Sequence, residues 1–133
     1  MTKTILALGA SALLLSAAGA ASAHHSGAMF DPTKEVSLQG TVKEFQYTNP
    51  HSWLVVSIPD ATGKLVDWSF EAEGPSTLLR SGIKKSSLMP GDKVTVKGHP
   101  LKDGRPGAGL MLVTKADGTV LNPRGLPGPK AAG

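Results

Sequence analysis

The chain has 133 residues, of which 14 are basic and 10 acidic, and it contains no cysteine. The formal net charge of +4 is spread along the sequence, so it does not form the concentrated basic surface that binds nucleic acids or anionic membranes. Without cysteine the chain has neither disulfides nor a lipid anchor attached through cysteine. Its stability must therefore come from an apolar core.

The first 23 residues have the three parts of a secretory signal peptide. Lys3 provides a positive start, residues 5–15 form an apolar segment, and Ala21-Ser22-Ala23 is the small-x-small pattern that precedes a cleavage site. The apolar segment is rich in alanine, glycine and serine, and no basic cluster follows it. We therefore expect cleavage after Ala23 rather than retention as a membrane anchor. The predicted mature chain starts at His24 and forms one domain.

Alternating apolar and polar residues predict five β-strands between His24 and Leu121. The first strand starts at Glu35, and its apolar phase shifts by one residue before Phe45, which predicts a β-bulge near Lys43-Glu44. Gly40, in the middle of this strand, indicates strong curvature. The remaining predicted strands are residues 53–58, 64–71, 93–98 and 110–115, and the last turns back into residues 119–121.

A short helix is predicted after the third strand, where Pro75 and Gly82 bracket a small apolar patch. Five short strands with a helix between the third and the fourth are the element order of the OB-fold. We therefore predict an all-β fold, a small five-stranded OB-like antiparallel barrel over residues 24–121, with an open antiparallel sandwich as the alternative. The Pro- and Gly-rich residues 122–133 predict a disordered tail.

The strand phases also predict which side chains are buried. Val42 and Trp68 should lie in the core, whereas Lys43 and Lys97 should be exposed. Tyr47, Trp53 and Trp68 are the only large candidates for stacking on bases, Trp68 is expected in the core, and the leader removes the protein from the cytosol. We therefore expect no nucleic-acid partner.

The four histidines are the candidate metal ligands of the sequence: His24, His25, His51 and His99. After cleavage, the α-amine and the ring Nδ1 of His24 can close a chelate on one ion, and His51 or His99 can add a third nitrogen. Cu(II) favours such tetragonal nitrogen sites. His25 faces the opposite way in an extended segment and is the weaker ligand. In the alternative interpretation, the terminus binds nothing and the other histidines pack their loops.

Residues for conventional catalysis are not evident in the sequence. No serine lies in a Gly-x-Ser-x-Gly elbow. Glu71 and Glu73 are two residues apart at a strand end, where we expect them to be solvated, because no apolar residues surround both. We therefore predict that the protein is not an enzyme, and copper is the one cofactor that the sequence suggests.

Several motifs resemble those of a family of small exported bacterial proteins of unknown function. They are the AHHSGAMFD start, the VSLQGTVKEFQYTNPHSW block, the LMPGDKVTVKGHPLKDGRPGA block and the closing ADGTVL. The resemblance implies a periplasmic location in a Gram-negative cell and brings no assigned activity. Gly27 departs from the pattern, in which a larger residue is expected, and this departure could loosen the packing of the terminus.

Three functions follow from these features. The leading prediction is a non-catalytic periplasmic binding or accessory module. Its partner would be an unknown ligand or a periplasmic protein. After signal cleavage it would have no stable membrane anchor. The second is a copper carrier or sensor that uses His24 together with His51 or His99. The third, a copper-dependent oxidase, ranks last because the mature chain is short and has no evident substrate groove.

Overall fold

The computed structural model describes residues 27–125. It contains a short 3-10 turn at Gly27–Met29, a second one at Lys85–Ser87, and one α-helix. The strands are β1 (Val36–Gln46), β2 (Ser52–Pro59), β3 (Leu65–Ala72), β4 (Lys93–Pro100), β5 (Gly107–Lys115) and the two-residue β6 (Val120–Leu121), and the helix is α1 (Pro75–Arg80). In the described part of the chain, no helix is long and apolar enough to cross a membrane.

The first five strands form a closed barrel. They are hydrogen-bonded in the order β3-β2-β1-β4-β5, and β5 pairs in turn with β3, which closes the ring. The closing pair is parallel, with Ser69 opposite Gly107 and Glu71 opposite Gly109. The predicted all-β class is therefore confirmed, but the prediction of an entirely antiparallel barrel is wrong. Alternation along a strand reports which face is buried and does not report which strands become neighbours.

The long first strand serves both halves of the barrel, as its sequence predicts. Its first part pairs with β4 and its second part with β2. The register against β2 shifts between Val42 and Glu44, so the predicted bulge is confirmed at Lys43. A Cβ on Gly40 would lie 2.8 Å from a Val56 side-chain carbon. Curvature at this point brings the two strands too close for a larger residue.

The core fills the inside of the barrel and extends under α1. Val42 is 2% exposed and Phe70 is fully buried, and Lys43 and Lys97 are exposed, as predicted. The prediction that Trp68 is buried is wrong, because this side chain packs against the core but is only partly buried, and it stacks on Phe70 with ring centroids 6.1 Å apart. The remaining apolar positions behind the helix are filled by Leu78, Ile83 and Leu88.

Four residues after β6 also pack against the barrel. Pro123 is fully buried, the Ser81 hydroxyl donates to its carbonyl at 3.2 Å, and Arg124 Nε lies 3.4 Å from Glu73 Oε1. The packed chain thus continues past the predicted boundary at Leu121. Residues 126–133 of the predicted tail and the predicted leader lie outside the described residues.

Candidate functional site

His51 lies at the start of β2, in a loop that local hydrogen bonds hold in place. The loop contains a cis peptide bond between Asn49 and Pro50. The Thr48 hydroxyl donates to the His51 carbonyl at 2.9 Å, and the Thr48 N–H donates to the Ser52 hydroxyl at 3.3 Å. These hydrogen bonds fix the backbone on both sides of His51 and thereby restrict the orientation of its imidazole.

The imidazole of His51 pairs with the carboxylate of Glu71. The ring Nδ1 lies 2.5 Å from Glu71 Oε1, with the histidine side chain 36% exposed and the glutamate side chain 8% exposed. The contact is an ion pair when the imidazole is protonated. In the neutral ring, a carboxylate beside Nδ1 favours the tautomer that carries its proton on Nδ1, and Nε2 then has the free lone pair. The expectation that Glu71 is a solvated strand end is therefore wrong.

Glu71 is buried although it lies on the outside of the barrel. The register places Glu71 opposite Trp53 of β2 on one side and opposite Gly109 of β5 on the other. Gly109 is in turn paired with His99 of β4. These four residues form one row across the outer face, because directly paired residues point to the same side of a sheet. The Phe30 ring lies over Gly109, 3.3 Å from the position of a Cβ. Phe30 therefore covers the part of the row beside Glu71.

The second carboxylate oxygen of Glu71 is the unusual atom of this row. Among the described residues, Glu71 Oε2 is a buried side-chain atom with no hydrogen-bond partner. Buried polar atoms normally have a partner, and one left without costs about 1–3 kcal/mol, more when it is charged. An atom of this kind indicates that a donor from a ligand, from water or from another part of the chain belongs there.

His99 lies in the same row but is separated from the pair. Its Nδ1 is 2.7 Å from the Lys34 carbonyl oxygen. Since Gly109 lies between their strands, the backbones of His99 and Glu71 are about two strand spacings apart, roughly 10 Å, with the Phe30 ring over the gap. In residues 27–125, no group of three or more His, Cys, Asp or Glu side chains is placed to hold a metal ion. His24 and His25 lie outside the described residues.

A cavity of about 330 Å³ lies next to the row, on the same face. Its walls come from the strands, from the loop before β5 and from the segment that leads into β1. Its lining residues are Met29, Phe30, Trp53, Ser69, Leu101, Arg105, Pro106 and Gly107. A ligand bound here would contact Phe30 and Trp53, the second of which belongs to the row, whereas His51 and Glu71 do not line the cavity.

A wider groove of about 470 Å³ crosses β1 and β4 elsewhere on the surface. Its two lysines already have partners: Lys93 donates to the Thr41 hydroxyl at 2.7 Å, and Lys115 donates to the Ser87 carbonyl at 3.0 Å. The His51–Glu71 pair is therefore the stronger candidate for a ligand site.

The fold and the site together define a small closed β-barrel with a histidine–carboxylate pair on its outer face, in which the carboxylate is buried and the histidine is partly exposed. The chain belongs to the family of unknown function DUF6152, whose sequence pattern matches residues 11–110. The matched region includes His51, Glu71, His99 and Gly109. No curated protein and no solved structure matches the chain.

Proposed function

We propose that this protein is an exported, non-catalytic binding module of the periplasm, and that its ligand binds the outer face at the His51–Glu71 pair. The single observation that carries this proposal is the burial of Glu71 with one oxygen unpartnered. Burying a carboxylate costs free energy, and an apolar residue would fill the same position at lower cost. Polar groups placed at such cost are typical of functional sites.

Binding is favoured over catalysis by the position of the hydroxyl group that follows His51 in the sequence. Ser52 follows His51 in the sequence, but its side chain points into the barrel and is fully buried. Its hydroxyl donates to the Thr48 carbonyl at 3.4 Å. His51 therefore does not activate Ser52 as a nucleophile, because a general base must lie within hydrogen-bond reach of the group it deprotonates.

The barrel itself is best described as OB-like. The ring order β1-β2-β3-β5-β4, with α1 between β3 and β4, supports this assignment, since the OB-fold is a five-stranded barrel with Greek-key connections. Many OB-folds present ligands on an outer face of the barrel. The proposed site on β2 and β3 is consistent with that use.

Export is tested by the mass of the protein recovered from the periplasmic fraction. We expect an intact mass that corresponds to residues 24–133. A mass that retains residues 1–23 would contradict the proposed processing, and an N-terminus other than His24 would remove the terminal chelate discussed next.

A second candidate is a copper-binding function, which one feature of the pair favours. Histidines that bind metals commonly donate their other ring N–H to a carboxylate, which fixes the ring and its tautomer. Glu71 bonds to Nδ1 of His51 in this way and leaves Nε2 as the ligand atom. The amine and ring of His24 would complete three nitrogen ligands for Cu(II). His99 does not serve the same ion, because it lies across the row beyond Phe30.

Titration of the mature protein with Cu(II) tests this candidate. Glu71→Gln should weaken binding about 10–100-fold, the usual effect of removing a partner behind a metal ligand, and His51→Ala should weaken it at least as much. His99→Ala is the matched control and should bind as the parent does. Binding should also weaken as the pH falls, since Cu(II) competes with protons for the amine. If a variant with one extra alanine before His24 binds as tightly as the parent, the terminal-amine site is wrong.

A further inference from the structure

The cavity beside Trp53 is lined mainly by apolar side chains. Phe30 and Trp53 contribute aromatic rings, and Met29, Leu101 and Pro106 contribute further apolar surface. A cavity of roughly 150 Å³ is enough to bind benzene, so the volume of about 330 Å³ has room for an aromatic ring and a small polar group. Aromatic rings also attract one another in offset and edge-to-face arrangements. The cavity therefore suits a ligand with a flat apolar body.

The backbone around the cavity is already hydrogen-bonded. The Met29 carbonyl accepts from the Lys102 N–H at 2.9 Å, and the Gly107 carbonyl accepts from the Leu101 N–H at 3.0 Å. The Leu101 carbonyl accepts in turn from the Gly104 N–H at 3.3 Å. These bonds fix the walls of the cavity and engage backbone oxygens that could otherwise accept from a ligand. The polar groups left for a ligand are therefore mainly side chains.

The polar side chains of the cavity are hydrogen-bond donors. Of the described residues that line it, Arg105 alone is charged and none carries a carboxylate. The Trp53 indole and the Ser69 hydroxyl can donate as well. A lining that combines donors with a positive charge complements a ligand that accepts hydrogen bonds and carries a negative charge.

Arg105 is held at the mouth of the cavity by Asp103, which does not line it. The Arg105 N–H donates to Asp103 Oδ1 at 3.0 Å, and Nε donates to Oδ2 at 2.7 Å. Among the described residues this pairing engages Nε, and the two terminal nitrogens of the guanidinium remain for a ligand. Together they can bind a carboxylate through two parallel hydrogen bonds. Because the Arg105 side chain is 68% exposed, the charge lies toward solvent and the apolar walls lie behind it.

We infer that the cavity beside Trp53 is a second binding site on the outer face and that it takes a small aromatic carboxylate. The ring of the ligand lies against Phe30 and Trp53, and its carboxylate binds Arg105. Neither His51 nor Glu71 lines this cavity. The inference therefore goes beyond the proposed function and does not depend on it.

Phenylacetate and phenylacetamide are the matched probes, because they share a ring and differ in charge. We expect calorimetric titration of the protein to give an affinity for phenylacetate about tenfold higher or more, the usual effect of a hydrogen bond to a charged group. In spectra of the ¹⁵N-labelled protein, phenylacetate should shift the indole N–H signal of Trp53 and leave that of Trp68, on the inner face, unchanged. Equal affinities, no binding at millimolar concentration or an unmoved Trp53 signal would overturn the inference.

Variants of the two arginines in the described strands and helix region identify the charge that acts. Arg105→Gln should weaken phenylacetate binding about 10–100-fold, whereas Arg80→Gln, on α1 and outside the cavity, should bind as the parent does. Arg105 is exposed, so its replacement should leave the fold intact, which an unchanged urea midpoint checks. Unchanged binding by Arg105→Gln would overturn the inference.

Glu71→Gln separates this site from the proposed function. It removes the carboxylate of the pair and should not weaken phenylacetate binding, since Glu71 does not line the cavity. Loss of binding in this variant would place phenylacetate at the pair and would contradict a separate site. Failure of phenylacetate to bind the parent would leave the proposed function at the His51–Glu71 pair standing.

Discussion

At the scale of single residues, the His51–Glu71 pair makes a direct prediction about stability. His51→Ala leaves a buried carboxylate with no partner on either oxygen, so it should lower the free energy of unfolding by about 1–3 kcal/mol. His99→Ala should cost less, since the ring of His99 bonds a carbonyl oxygen in an exposed contact. Urea denaturation measures both values.

The double variant His51→Ala/Glu71→Leu distinguishes the pair from ordinary packing. Replacing the carboxylate with an apolar residue removes the unpaired charge, so part of the lost stability should return. A double variant less stable than His51→Ala would show that Glu71 contributes through something other than His51.

Gly40 is the second residue whose role follows from geometry. A Cβ there would collide with the Ser57 carbonyl oxygen and would lie within 2.9 Å of side-chain carbons of Val56 and Ile58. Gly40→Ala should therefore destabilise the protein by about 1–3 kcal/mol, the usual cost of overpacking. Gly27→Ala is the matched control, because a Cβ there meets no atom within 4 Å. Thermal unfolding of the two variants checks the contrast.

At the scale of elements, the bulge in β1 directs Lys43 toward β3. Lys43 Nζ lies 2.5 Å from Asp67 Oδ2, and the Ser57 hydroxyl donates to Asp67 Oδ1 at 2.9 Å. The hydrogen bond from Lys43, and then the one from Ser57, hold the pKa of Asp67 below its ordinary value of 3.8. The pair thus ties β1 to β3 across β2.

Lys43→Met should raise the pKa of Asp67 toward its ordinary value. Because the folded pKa is lowered, the stabilisation from this pair is present above the ordinary pKa and is lost as the pH falls through the lowered one. A carboxyl NMR titration measures the change. Asp117 is the control, since hydrogen bonds from Thr119 lower its pKa and Lys43 plays no part there. An unchanged Asp67 would contradict the assignment.

The elements also show how far the sequence alone could go. The shift of apolar phase before Phe45 predicted the bulge, and alternation placed Val42 inside and Lys97 outside. The pairing of β3 with β5 could not be predicted, because the alternation in Gly107–Lys115 is the same whichever strand lies beside it. The parallel pairing of β3 with β5 arises when the barrel closes, and the pattern within a single strand does not report it.

The same limit explains why His51 was identified and Glu71 was missed. Histidine is a candidate ligand by its chemistry alone, whereas a glutamate at a strand end is ordinarily solvated. Glu71 is buried in a place where β5 brings Gly109 beside it and Phe30 lies over that glycine, and neither contact is visible in the sequence. The Gly-Ala-Gly start of β5 was the available signal, since small residues on an outer face leave room for a covering segment.

At the scale of the whole molecule, the chain is held at both ends of the barrel. Phe30 and its neighbours pack against the end of β4 before β1 begins, and residues 122–125 pack near α1 after β6 ends. Neither segment contributes to the ring of strands. Both cover positions that the ring would otherwise expose, so the stable unit is larger than the five strands.

The contribution of the C-terminal segment can be measured by comparing two truncations. A chain ending at Gly125 keeps Pro123 buried and keeps the Ser81 hydrogen bond, whereas a chain ending at Leu121 loses both. The shorter chain should be less stable by about 1–2 kcal/mol, mainly from the exposed apolar surface, because the surface ion pair of Arg124 with Glu73 adds little. Urea midpoints give the difference. Equal midpoints would show that residues 122–125 rest on the barrel without stabilising it, and the domain would then end at Leu121.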